Sequence, residues 1–204
     1  MTAPQNVWCI GRNYAEHAQE LGNTVPTTPL IFSKTVGCLT TATDIALPAH
    51  LDEVHHELEL VLRFKAPLKP GTFCFDGVAL GLDLTDRKAQ TLLKNQGQPW
   101  ELAKSFINAA PISHFIPVTE ADFGQLGLQL QVNQNLRQTG VVSQMIFSAT
   151  EIAKYILARF PVSPGDYLFT GTPAGVGPLR RGDTAIAIMR KGSETLLQHT
   201  WKIV

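Results

Sequence analysis

The sequence predicts a β-rich α+β fold in one domain spanning residues 1–204. Two observations lead there. Thirteen prolines and sixteen glycines cut the chain into short pieces, most of which read as strands bounded by turn residues. Few windows sustain a 3.6-residue apolar period long enough for a helix. With 44% hydrophobic residues, the 204-residue chain can bury one sizeable core, and its length argues against two.

The strand candidates are, in order, "NVWCI", "PLIFS", "ELELVLRF", "GVALGLDL", "LGLQLQVN", "DYLFTGT" and "TAIAIM". Each is an apolar or alternating run closed by Pro, Gly, Asn or Asp. Helices are expected over Tyr14 to Leu21, Thr85 to Leu93 and Ala149 to Ala158. The last is opened by Ser148 and Glu151, spaced as a capping box. Turn signals "SPGD" and "RRGD" bracket the glycine-rich "TGTPAGVGP", which places that loop between two late strands. The polar "KNQGQPW" is a candidate flap. Strand spacing alone predicts a simple antiparallel sandwich.

Charge and composition exclude several classes of partner. Seventeen basic and seventeen acidic residues give zero formal net charge, so there is no electrostatic case for nucleic acid or an anionic membrane surface. A small molecule is the expected ligand. Cys9, Cys38 and Cys74 lie too far apart for a zinc knuckle and too few for a disulfide framework, which points to a reducing compartment. No basic n-region precedes an apolar stretch, and no apolar run approaches the ~20 residues of a membrane helix. A cytoplasmic location is expected.

The stretch "HHELELVL" sets two glutamates into an apolar run. In a strand, Glu57 and Glu59 project to one face while Leu58, Leu60 and Leu62 project to the other. Adjacent carboxylates in a partly buried place share a proton or a cation. Asp83, at the end of the "GVALGLDL" strand, is a third hard oxygen donor, and the trio would suit Mg²⁺, Mn²⁺ or Ca²⁺ better than zinc. The ordinary alternative is equally open: an E-x-E pair lines the solvent face of many edge strands, and Asp83 could cap the following helix.

Other residues also admit two readings. His17 and Glu20, three apart on a helix, can form a carboxylate-oriented general base or a surface ion pair. Lys104 in "PWELAKSF" either snorkels from a strand edge or answers an acidic cluster. Arg87 and Gln90 share a helix face that binds a carboxylate or meets water. Backbone N–H groups of "TGTPAGVG" can cradle an oxyanion, or its glycines can serve steric needs. The spacing matches neither a P-loop nor a dinucleotide fingerprint.

Taken in order, the segments "GRNYAEHAQELG", "PLIFSKT", "HHELELVL", "GLDLTDRKAQ", "PWELAKSF", "MIFSATEI" and "PGDYLFTGTPAGVGPL" resemble the fumarylacetoacetate hydrolase family across nearly the whole chain. The likeness is to its short members, the acylpyruvate hydrolases and oxaloacetate decarboxylases. It implies a mixed β-sheet roll with a few short helices, and a homodimer. It places Glu57, Glu59 and Asp83 as magnesium ligands, His17 and Glu20 as a water-activating dyad on a lid, and Lys104 as the active-site lysine. Arg12, Arg87, Gln90 and Thr172 fall on or beside positions used around the substrate.

The activity the resemblance implies is metal-dependent cleavage of a C–C bond in a 2-oxo acid, through a pyruvate enolate that the cation stabilises. The same enolate permits keto–enol tautomerisation or double-bond isomerisation, which stands as the second expectation. A non-catalytic protein that binds a metal or a 2-oxo acid is the third, and the presence of both His17 and Glu20 speaks against it.

Overall fold

A computed structural model of the chain describes residues 3–204 apart from Leu21, Asn23 and Asp52. The principal elements, in chain order, are β1 (Val7–Gly11), α1 (Ala15–Glu20), β2 (Leu30–Lys34), β3 (Val54–His56), β4 (Leu58–Phe64), β5 (Phe75–Leu82), α2 (Arg87–Asn95), α3 (Glu101–Lys104), α4 (Glu120–Phe123), β6 (Leu126–Val132), β7 (Asn135–Val141), α5 (Ala149–Leu157), β8 (Tyr167–Phe169), β9 (Thr184–Lys191) and β10 (Glu194–Ile203). Every predicted strand run is present.

Two larger sheets enclose one apolar core that includes Phe64, Phe75, Phe169 and Trp201. The six-stranded sheet has the order Ile116–Pro117, β5, β4, β8, β1, β2, and the five-stranded sheet β7, β6, β9, β10, Asp44–Ile45. A three-stranded sheet joins Gly177–Leu179, β3 and Thr85–Asp86. The strand β1 runs parallel to β8, and Asp44–Ile45 parallel to β10. The sheets are therefore mixed, and the simple antiparallel sandwich expected from strand spacing is incorrect. Spacing reports how often the chain turns, whereas parallel pairing depends on long crossovers that leave no local mark.

Burial along the strands follows their place in the sheet. In β6, Leu126, Leu128, Leu130 and Val132 are buried while the residues between them are not, the alternation of a sheet with one covered face. Strand β4 lies between β5 and β8 and is buried at every residue except Arg63, so its glutamate, Glu59, is enclosed along with its apolar neighbours.

The helices depart from expectation at their ends. Helix α1 begins at Ala15, because Tyr14 forms a bridge with Met145, and the predicted last residue, Leu21, lies outside the described residues. Helix α2 starts at Arg87 rather than Thr85: Thr85–Asp86 pairs with β3, and Asp86 is the cap, its carboxylate accepting from the Ala89 N–H at 3.0 Å. Asp83 is thus not the helix cap. Helix α5 carries the Ser148–Glu151 capping box as predicted and ends at Leu157, one residue early. The single-turn helices α3 and α4 were not expected, since four residues hold too little periodicity to read. Among the described residues no helix is long and apolar enough to cross a membrane.

Topology gathers one end of the large sheet. Because β1 and β8 are parallel, Arg12–Asn13 and Thr170–Gly175 leave the sheet at the same end. Strand β4 is antiparallel to β8 and begins there, and β5, antiparallel to β4, ends there with Leu82 facing Leu58. Glu57, Glu59, Asp83, Arg12 and Thr172 are brought together by that arrangement alone.

Candidate active site

Glu57, Glu59 and Asp83 are buried, and one oxygen from each lies within 4.8 Å of the others. That is near the spacing of ligands around one hard cation. The edge-strand alternative fails because β4 is interior, leaving Glu59 only 2% exposed. Main-chain bonding sets the register: the Asp83 N–H donates to the Glu57 carbonyl at 2.9 Å. On the open side, the Gly171 N–H donates to Glu59 Oε2 at 2.6 Å.

Lys104, in the last turn of α3, sends its ammonium into the cluster, donating to Asp83 Oδ2 at 2.6 Å, Thr85 Oγ1 at 2.7 Å and Glu57 Oε2 at 2.9 Å. It answers the acidic group and does not snorkel from a strand. Burial disfavours its charge, but Asp83 and Glu57 outweigh that and hold its proton more tightly than in an ordinary lysine. Burial would raise the Glu57 carboxyl, yet Lys104 and then Arg87 keep it well below the usual carboxylate range. Glu59 goes the other way: burial, then the charges of Asp83 and Glu57, push it well above.

A second buried lysine was missed in the sequence. Lys34, at the end of β2, donates to the carbonyls of Leu84 and Ala109 at 3.0 Å each and to that of Lys104. Its Nζ also lies 2.8 Å from Asp83 Oδ1, a buried ion pair that offsets part of the charge of the acidic cluster. Three buried carboxylates converging as an all-oxygen donor set, held by two buried ammonium groups, are what a hard divalent cation would suit. The residues present fit such an ion.

Arg87 spans the cradle and the α2 face. Its Nη2 donates to Glu57 Oε1 at 2.5 Å and its Nη1 to Gln90 Oε1 at 2.6 Å, while Nε approaches His55 Nδ1 at 3.4 Å. Arg12 stands at φ 59°, the left-handed region unusual for a side-chain-bearing residue. It turns the chain out of β1 at the rim of the site.

His17 is buried on α1, its Nδ1 3.2 Å from Glu20 Oε2. With Glu20 ionised, Nδ1 is the donor, and the tautomer leaves Nε2 with a free lone pair. The surface-pair alternative fails on the burial of His17. Both oxygens of Glu20 also accept from the Gly175 N–H, at 3.1 and 3.2 Å. The glycine-rich loop thus presents N–H groups to two protein carboxylates, Glu59 and Glu20.

One cavity of about 50 Å³ is lined by Arg12, His17, Glu57, Glu59, Asp83, Arg87, Gln90, Lys104 and Thr172, together with Ile10, Gly11, Phe32, Lys94 and Trp100. Of the predicted site residues, only Glu20 does not line it, and Glu20 touches it through His17. Trp100 belongs to the predicted flap, which brings an aromatic ring to the cavity. Phe32 and Lys94 carry no local signal, being one apolar residue of a strand and one charge on a helix.

Comparison with known proteins shows the family. Residues 6–199 match the family model described as the fumarylacetoacetate (FAA) hydrolase C-terminal domain. An oxaloacetate tautomerase of Escherichia coli is 40% identical over 185 residues, covering 87% of this chain and 84% of the relative. A mitochondrial oxaloacetate tautomerase of Homo sapiens is 38% identical over 206 residues, covering 98% and 91%. The crystal structure of fumarylpyruvate hydrolase from Pseudomonas aeruginosa, in complex with Mn²⁺ and pyruvate, superposes with a TM-score of 0.88 at 32% identity, covering 98% of this chain and 90% of that one. The family match and the fold define a fumarylacetoacetate hydrolase domain. The chain belongs to the fumarylacetoacetate hydrolase family.

Proposed function

We propose that the protein is a divalent-cation-dependent enzyme acting on short 2-oxo acids, and that its first reaction is the keto–enol interconversion of oxaloacetate. The observation that carries this reading is the carboxylate cradle opening into the same cavity as the His17–Glu20 dyad. The two tautomerase relatives, each near 40% identity, favour enolisation over the C–C cleavage that the sequence put first.

Glu57, Glu59 and Asp83 would hold Mg²⁺ or Mn²⁺, with Ca²⁺ the remaining hard cation. When bound, such an ion stabilises negative charge as it develops on the carbonyl oxygen of a 2-oxo acid. His17 Nε2 takes the proton from the carbon next to that carbonyl, and Glu20 steadies the imidazolium and fixes its orientation. Lys104 keeps a positive charge beside the reacting oxygen. Arg12 and Lys94 add cationic character to the cavity, which suits the distal carboxylate of a dicarboxylic substrate. Gln90, Arg87 and Thr172 also line the cavity.

A second reading has its own support. His17, placed to take a proton from water, could start hydrolysis of an acylpyruvate at C4, and the Pseudomonas aeruginosa structure carries the name fumarylpyruvate hydrolase. Decarboxylation of oxaloacetate belongs to the same family of outcomes, since it leaves the same enolate. The reading also carries a small 2-oxo acid as ligand and a homodimer as assembly.

The test follows the ultraviolet absorbance of enol oxaloacetate with Mn²⁺, with Mg²⁺ and with chelator, and assays pyruvate and carbon dioxide by NMR and gas analysis. Accelerated equilibration without loss of carbon, abolished by chelator, is the expected result. Pyruvate and a free acid from an acylpyruvate panel would transfer the assignment to the second reading. Inertness toward both substrate sets in the presence of metal would remove both.

A further inference from the structure

Strand β7 is an exposed edge strand with an unusual inner face. Along Asn135–Val141 only Gln138 and Gly140 are buried, two apart and hence on one face. Gln138 is 1% exposed. A fully buried glutamine carries two acceptor and two donor positions that must be met.

Each of them is met at the site. Gln138 Oε1 accepts from the Leu58 N–H at 3.0 Å and lies 2.9 Å from His56 Nδ1. Gln138 Nε2 donates to Thr172 Oγ1 at 2.7 Å and to the Pro173 carbonyl at 2.8 Å. The orientation of the amide follows from its two main-chain partners. Flipped, it would set an NH₂ against the Leu58 N–H and an oxygen against the Pro173 carbonyl. His56 must then donate through Nδ1.

Thr172 closes a ring. Its hydroxyl donates to the Leu58 carbonyl at 2.8 Å while its oxygen accepts from Gln138. Both main-chain groups of Leu58 are therefore clamped, the N–H by Gln138 and the carbonyl by Thr172. Leu58 is the residue between Glu57 and Glu59. Its two peptide planes carry the Cα atoms of Glu57 and Glu59, the backbone from which both carboxylates reach the cradle.

We infer that Gln138 is a positioning residue of the cation cradle: from an edge strand of the second sheet, it sets the geometry of Glu57 and Glu59 by clamping Leu58 and the 172–173 loop together. This rests on the reading that Glu57, Glu59 and Asp83 hold a divalent cation. Gln138 touches no reacting atom. Its effect passes through the backbone at Leu58 and through Thr172.

The test is calorimetric titration of the full chain with Mn²⁺ alone, beside thermal melting. Wild-type protein should bind Mn²⁺; failure to bind overturns the cation reading itself, whatever the variants do. Gln138→Leu should weaken Mn²⁺ binding about 10- to 100-fold, the usual effect of losing a partner of the ligands. Thr172→Val, which breaks the ring from the other side, should weaken it in the same direction, and Thr172→Ser, which keeps the hydroxyl, should restore it. Ile156→Val, in the core on α5, should lower the melting temperature without moving the Mn²⁺ affinity, so the effect is separated from general loss of stability. A folded Gln138→Leu protein with wild-type Mn²⁺ affinity overturns the inference. If that variant does not fold, wild-type affinity in Thr172→Val does so instead.

Discussion

Glu20 and Gly175 meet across 155 residues of sequence, the glycine N–H pointing at both oxygens of the glutamate that orients His17. Gly175 stands at φ 95°, and a Cβ there would fall 2.0 Å from the Arg137 carbonyl oxygen. The contact that fixes the dyad thus depends on a residue without a side chain.

Substituting that glycine should be costly. Gly175→Ala must relieve both the left-handed backbone and the clash with Arg137, an effect of about 1–3 kcal/mol from the backbone alone. A lower melting temperature and reduced turnover are expected. An unchanged melting curve would show that the loop has room to move.

Removing the base should separate chemistry from binding. His17→Ala is expected to cut turnover by about 10²–10⁴-fold, the range of general acid–base catalysis, with Mn²⁺ affinity unchanged. Steady-state kinetics and calorimetry on one preparation decide it. Wild-type turnover in the variant would take the dyad out of the mechanism.

Lys104 predicts an exchange between a protein cation and a metal cation. Lys104→Met leaves Asp83, Glu57 and Thr85 without their shared donor, and breaking a buried pair of this kind costs about 3–5 kcal/mol. The metal-free variant should melt well below wild type. Added Mn²⁺ should raise its melting temperature by more than it raises that of wild type.

Acidity bears on metal entry with a definite sign. Glu59, raised by burial and by Asp83 and Glu57, keeps a proton to higher pH than an ordinary carboxyl when no cation is present. A cation must expel that proton, so affinity should fall as pH drops below the raised pKa and level off above it. Calorimetry in buffers of different ionisation enthalpy should register proton release on binding. Glu59→Gln should bind more weakly and release less.

Much of this site could be read in the chain because strand period and motif order are local. Glu57 and Glu59 announce themselves by sitting in an apolar run, and His17 and Glu20 by their helical spacing. What decides between a solvated face and a buried cradle is tertiary: the neighbours β5 and β8 of β4 lie tens to more than a hundred residues away. Lys34 went unread because a lysine at a strand end is normally a surface residue, and nothing nearby reveals the carbonyls of Leu84, Lys104 and Ala109 that hold it. Gln138 is silent in "NLRQTG" for the same reason, its partners being 80 and 34 residues off. The misplaced start of α2 has a different origin, since Thr85 and Asp86 are both acceptable caps and the pairing with β3 selects Asp86.

The most direct test of the central claim is an anomalous-difference map from crystals of the protein soaked in Mn²⁺. A peak bonded to carboxylate oxygens of Glu57, Glu59 and Asp83 at once is the predicted result. Crystals in which those three carboxylates remain tied to Lys104 and Gly171 at saturating Mn²⁺, with no peak between them, would contradict it.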